Sequence, residues 1–486
     1  MKIRKICDRS GRAFGLAMLL AGSTVLAAGF EAKLFPVDGK LEANIRRTTG
    51  GVPHITADNL KSAAFGHGYA QAQDNICLLA EVIVKARSER ARYFGPGPDT
   101  GIGVGLNIIN DFSYKAQEIY SGAEREYHSL SDESRALTQG FAEGYNRYVR
   151  ETAPGDLPAE CRDQSWVTEI TPVDLLAYYR VIGQYASGAQ FATGAVFLAV
   201  PPGESPAPRV VTSVTDSGAV EKLKHQVVAT AQAGAGSIEN LSDMGLASNA
   251  WGIGKAMTEQ GRGALLANPH FPYTGPRRLY EVQMTVPGYM NVHGAGLIGT
   301  AIPLINFNKK LAWSHTVSTS RRFTWYELAL KPGDNLIYVK DGVEKPIRTE
   351  TYQIEVDLGM TDPVVLEREF YFSEYGPMIA ANAVNRNLPG WGANGALNPQ
   401  SPVAITYRDA NANTGGLLDT WLQMSRANNL NQFQRVFQNC GSTLWTNTTY
   451  ADHKGNAFYI DSSSVPNLSE QAIALLNARR AGSPVY

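Results

Sequence analysis

Ala247-Ser248-Asn249-Ala250-Trp251-Gly252-Ile253 stands where the chain changes character. Before it, apolar residues recur at three- and four-residue spacing; after it they alternate. The shift from the period of a helix to that of a strand marks a mainly helical part followed by a strand-rich part. Ser248 opens the second part with no G-x-S-x-G elbow around it. Alone, it reads as an ordinary serine at the start of a strand. If the chain were cut before it, the freed α-amine, with an ordinary pKa of about 7.7–8.0, could serve as base for its own hydroxyl.

The 486 residues are 44% hydrophobic and 18% charged, with a net charge of −1. That is the balance of a globular protein with a sizeable core. It lacks the basic excess of a nucleic-acid binder, so no nucleic-acid partner is expected. Met1-Lys2-Ile3-Arg4-Lys5 is a basic start, and an apolar run from Gly15 to Leu26 ends in the small residues Ala27, Ala28 and Gly29. Residues 1–28 therefore read as a secretory signal, which places the mature protein in the periplasm or outside the cell. No later stretch approaches the length of a membrane span, and no membrane partner is expected. Without the leader, Cys77, Cys161 and Cys440 remain, and Cys77–Cys161 is the first pair to test as a disulfide. The odd count leaves one thiol free. No metal-binding spacing appears, so neither metal nor cofactor is expected.

From Asn59, the residues Phe65, Tyr69, Ala72, Ile76, Leu79 and Val82 form one apolar helix face, which the charged run 85–92 continues until Gly95-Pro96. Gly66, Gly68 and Asp74 on it read as packing or capping features, or as residues buried against a site. Residues 107–150 read as further helices. Thr171-Pro172-Val173-Asp174 is a helix start with a hydroxyl cap and a first-turn proline. From Pro201 the texture is that of a loop, and 229–237 reads as a structureless surface spacer. After Ser248 a long series of strands follows, with Asp341-Gly342 as a hairpin turn and one helix at 430–437. Residues 478–486 close no recognisable element. Gly294-Ala295-Gly296-Leu297-Ile298-Gly299 matches G-x-G-x-x-G, but Pro303 and a strand-like run follow where a nucleotide site requires a helix.

Several ordered motifs carry a resemblance. Gly51-Val52-Pro53-His54-Ile55 is followed by the run from Gly66 to Asn75 and by Arg90-Ala91-Arg92-Tyr93-Phe94-Gly95-Pro96. Then come Ser248-Asn249-Ala250-Trp251, Asn268-Pro269-His270-Phe271-Pro272, the run from Ala312 to Ser318, and Trp445-Thr446-Asn447-Thr448 with Ala451-Asp452 and Gly455. In this order the chain resembles the penicillin acylase family of N-terminal nucleophile hydrolases, in the branch of aculeacin and acyl-homoserine-lactone acylases.

The resemblance implies an α+β chain with the four-layer αββα fold. It implies a precursor cut at Ala247–Ser248: an alpha chain over 29–215, a spacer over 216–247 and a beta chain over 248–486, the two chains remaining a heterodimer. The beta part is shorter than the family's, so the sequence reads as a truncated form of a longer product. Ser248 would be the nucleophile, with His270 beside it and with the backbone N–H of Val317 and the side-chain amide of Asn447 as oxyanion donors. Alone, Asn447 would be a strand or turn residue, Val317 core, and His270 a loop histidine. Phe271, Leu297 and Ile305 would line an acyl pocket, with ordinary core packing as the competing reading. The implied substrate is a small lipophilic N-acyl compound, acyl-homoserine lactones first. The alternatives are a penicillin- or echinocandin-type acylase, or an inactive member that only binds.

Overall fold

A computed structural model describes residues 32–98, 106–188, 191–212, 217–235, 247–397, 399–439 and 441–480. The expected leader and Cys440 lie outside them. An eight-stranded sheet organises the site. Its spatial order is Asn44–Arg47, Pro53–Thr56, Leu279–Val286, Met290–Leu297, Ile305–Phe307, Leu311–Val317, Thr446–Asp452 and Ala457–Asp461. Only the pairing of Pro53–Thr56 with Leu279–Val286 is parallel. Residues from both sides of Ser248 are thus hydrogen-bonded into one sheet, and a cut before Ser248 would leave two interleaved segments.

Helices Leu60–Ala86, Asp132–Glu151 and Pro172–Gln184 cover one face of this sheet. Ile76, Leu79, Phe141 and Leu175 share a buried core with Val282, Met284 and Val292. A Cβ on Gly68 would collide with the Phe141 carbonyl, and one on Gly66 would lie 2.8 Å from Ala43. Asp74 pairs with Arg47 at 2.9 Å and accepts the Tyr280 hydroxyl at 2.7 Å. All three are packing features. Thr171 and Asp174 form a full capping box, and Arg87 braces Asp174 through bonds of 2.6 and 2.8 Å. Cys77 and Cys161 are joined as a disulfide. The long helix ends before the charged run does: Ser88 takes a left-handed φ of 61°, and Arg90–Phe94 is a separate short helix.

The strands Ala247–Ile253 and Ala264–His270 pair as a hairpin on the opposite face. Strand alternation decides the sides. Trp313 and Tyr450 pack with Phe433 in a helix-side core, whereas Thr449 faces Gly252 of the hairpin. Helices, main sheet and hairpin stack as α, β, β of the expected four-layer arrangement. Trp251 and Leu266 on the hairpin remain 53% and 58% exposed.

Two smaller sheets complete the described residues. One runs Val343–Pro346, Asp334–Lys340, Phe323–Lys331, Val403–Asp409 and Met378–Ile379; the other runs Arg348–Val356, Val364–Phe372 and Arg209–Val210. Asp341 and Gly342 both have positive φ at the expected hairpin, as a tight I′ turn requires.

Two expectations need correction. Residues 229–235 are not structureless: they belong to the helix Ser217–Ala235, whose Val227, Ala231 and Ala235 are fully buried in a second core with Phe191 and Val196. Alanine is the best helix former, and small residues four apart give a narrow face for close packing. Residues 470–480 form a helix that includes part of the tail. The strand Val403–Asp409 and the helix Leu417–Arg426 gave no clear pattern, the former because it is buried at nearly every position.

Candidate active site

Ser248 is placed by the hairpin register. It lies opposite Pro269, with Ala247 opposite His270 and Asn249 opposite Asn268. Its hydroxyl donates to the carbonyl oxygen of Ala247, so the oxygen sits against the peptide that precedes it. The hairpin lies across Leu311–Val317 and Thr446–Asp452. Gly252 permits this close approach, since a Cβ there would lie 2.6 Å from the Tyr450 carbonyl.

Those two strands pair antiparallel, with Thr446 opposite Val317 and Asn447 opposite Thr316. The Asn447 amide donates to the Thr316 hydroxyl at 2.9 Å and to the Val317 carbonyl at 3.2 Å. The two expected oxyanion donors are therefore neighbours across one strand pair. Arg322 ties the strand ends together. Its guanidinium donates to the carbonyls of Ala186 at 2.8 Å, Trp445 at 3.2 Å and Ser318, while the Ser318 N–H donates to Trp445 at 3.0 Å.

Beneath this pair lies His315. The indole N–H of Trp421 donates to its Nε2 at 3.0 Å, and its Nδ1 faces the Asn447 carbonyl at 3.0 Å and the Thr448 hydroxyl at 3.2 Å. An indole nitrogen only donates, so Nε2 is the unprotonated nitrogen and Nδ1–H the donor. Burial pushes the His315 pKa down to about 4, so the ring is neutral at ordinary pH.

Ser248 lines an apolar cavity of about 60 Å³ together with Phe271, Leu297, Ile305 and Val317. That exceeds the ~10–15 Å³ a single water needs, and the walls are almost wholly apolar. Phe271 stacks on Trp445 with ring centres 6.3 Å apart, and Tyr179, His315 and Trp421 supply further walls. His270 and Asn447 do not line the cavity. His270 is exposed, and its Nε2 lies 3.3 Å from the Asn249 amide rather than against the Ser248 hydroxyl. Sequence reasoning missed His315, Trp421 and Trp445 as site residues. His315 and Trp445 stood inside quoted motifs, but Trp421 lies on a helix that the pattern did not reveal. Among the described residues, no group of three or more His, Cys, Asp or Glu is placed to hold a metal ion. No helix among them is long and apolar enough to cross a membrane.

Comparison with known proteins matches residues 42–483 to the penicillin amidase family model. The chain belongs to the penicillin amidase family. It is 35% identical over 465 residues to the acyl-homoserine lactone acylase PvdQ of Pseudomonas fluorescens (strain Pf0-1), covering 96% of this chain and 56% of that protein. It is 36% identical over 467 residues to aculeacin-A acylase of Actinoplanes utahensis, covering 94% and 54%. The chain thus spans about half the length of these relatives. A solved penicillin G acylase from Alcaligenes faecalis overlaps 46% of this chain and 36% of its own at 18% identity, with a TM-score of 0.36.

Proposed function

We propose that Ser248 is an N-terminal nucleophile, released by self-cutting, that hydrolyses the amide bond of lipophilic N-acyl compounds. The observation that carries the reading is the Ser248 hydroxyl, set against the Ala247 carbonyl at the wall of an apolar cavity. In the first reaction the Ser248 oxygen attacks the Ala247 carbonyl carbon, the peptide C–N bond breaks, and water hydrolyses the resulting ester. This frees the Ser248 α-amine. In the second, the oxygen attacks the substrate acyl carbon, and the α-amine takes the hydroxyl proton and gives it to the leaving amine. Water then releases the acid. The Val317 N–H and the Asn447 amide, the latter on exchanging its bond to the Thr316 hydroxyl, would hold the oxyanion, each such donor being worth about 2.7–4 kcal/mol in comparable sites. His270 orients the hairpin through Asn249 rather than touching the nucleophile.

The cavity favours an apolar acyl group, each buried methylene adding about 0.8 kcal/mol. The relatives' names give the candidate substrates: acyl-homoserine lactones first, aculeacin-type lipopeptides second. The Cys77–Cys161 disulfide supports a periplasmic or secreted protein. The buried face of Ser217–Ala235 argues against loss of the whole 216–247 spacer, because its removal would uncover the second core. The test is fatty-acid release from N-acyl-homoserine lactones and from penicillins. Release by the wild type and none by Ser248→Ala is expected; equal release by both would overturn the assignment.

A further inference from the structure

The mechanism above needs the Asn447 amide at a fixed position, yet Asn447 sits near the end of its strand pair, where only Thr446 and Val317 precede the turn to Trp445. Its side chain is on the hairpin side of the sheet, bonded to Thr316 and Val317. Behind it, on the helix side, the His315 ring is held edge-to-face by Trp421 and reaches the main chain of Asn447 itself. We propose that His315 is a positioning residue for the oxyanion site: locked in one tautomer by the Trp421 indole, its Nδ1–H pins the Asn447 backbone from the far face of the sheet. The inference rests on the function proposed above.

The chemistry of the pair makes the lock one-directional. The Trp421 N–H has no acceptor capacity, so the ring cannot exchange tautomers without leaving Nε2–H facing N–H. The Nδ1–H must then point at the Asn447 carbonyl, with the Thr448 hydroxyl as a second acceptor. The neutral ring adds no charge to the apolar cavity it lines. A general base is not what this geometry supplies, because the only basic nitrogen is already occupied by the indole. The role is to transmit the packing of helix Leu417–Arg426, through Trp421, to the residue that carries the oxyanion donor.

Steady-state kinetics on a decanoyl p-nitroanilide, for the wild type and for Ser248→Ala, His315→Phe, His315→Asn and Trp421→Phe, test the inference. His315→Phe should lower kcat by about 10- to 100-fold, part of what losing an oxyanion donor costs, with KM within about threefold. His315→Asn places an amide N–H near the Nδ1 position and should recover most of the lost kcat. Trp421→Phe keeps an aromatic wall, though a smaller one, and removes the N–H that locks the tautomer; it should lower kcat in the same sense, and the split between kcat and KM carries the test if His315→Phe does not fold. Full kcat in the folded His315→Phe variant would overturn the inference. So would a change confined to KM, which is what a cavity wall alone would give. A wild type that releases no product while Ser248→Ala matches it would overturn the parent reading, and this one with it.

Discussion

The side-chain amide of Asn447 donates to the carbonyl of Val317 at 3.2 Å, across the antiparallel pair of Leu311–Val317 and Thr446–Asp452. The two residues proposed to hold the oxyanion, Val317 through its N–H and Asn447 through its amide, therefore do not meet by chance of a loop. They are held by sheet register, and a one-residue slip would turn the amide to the other face. Asn447→Ala should slow both self-cutting and amide hydrolysis by about 10²–10³-fold. Its effect on stability should stay near about 1 kcal/mol, since the side chain is half-buried and makes two neutral bonds. Single-turnover rates and thermal unfolding of the same sample separate the two effects.

Leu297 is fully buried at the cavity wall, beside the glycine-containing end of its strand. Leu297→Phe adds volume to a space of about 60 Å³ and should discriminate against long acyl chains. A penalty of about 1–3 kcal/mol in kcat/KM is expected for the longest substrates, and little for short ones. A series of N-acyl substrates of increasing length reads this directly.

The Cys77–Cys161 disulfide closes a span of 84 residues between the long helix and the loop before Pro172–Gln184. The paired replacement Cys77→Ser with Cys161→Ser should cost about 2–4 kcal/mol of stability. Denaturant unfolding of both proteins, with and without reductant, tests it: only the wild type should respond to the reductant.

Burial holds His67 and His315 at a pKa of about 4, below the ordinary 6.5. In the window between these values the unfolded chain binds protons that the folded chain refuses. Stability is then complete above about pH 6.5 and falls as pH drops toward about 4, by about 3 kcal/mol per histidine at most. Urea midpoints across that window should follow this slope. His67→Gln should roughly halve it, leaving the His315 share, because an amide in place of the ring does not titrate.

Much of this is legible in the sequence alone. The strand period after Ser248, the Asp341-Gly342 turn and the Thr171 cap are local signals, and local chemistry produced them. Phe271, Leu297 and Ile305 do reach the same cavity as Ser248. What was not legible depends on tertiary context. The alanine-rich stretch before Ala235 reads as a spacer until Val227, Ala231 and Ala235 are seen on one buried face. Trp421 lies on a short helix whose role appears only when the helix packs against His315. His270 pairs with Ala247, next to Ser248 in register, yet its ring turns to Asn249, a side-chain direction that no sequence pattern encodes.

The central claim is that the chain is cut before Ser248. Intact mass and N-terminal sequencing of the purified protein test it most directly. Two chains are expected, one beginning Ser248-Asn249-Ala250, with Ser248→Ala remaining as one. A wild-type protein that stays a single chain, or a second chain that begins at any other residue, would contradict it.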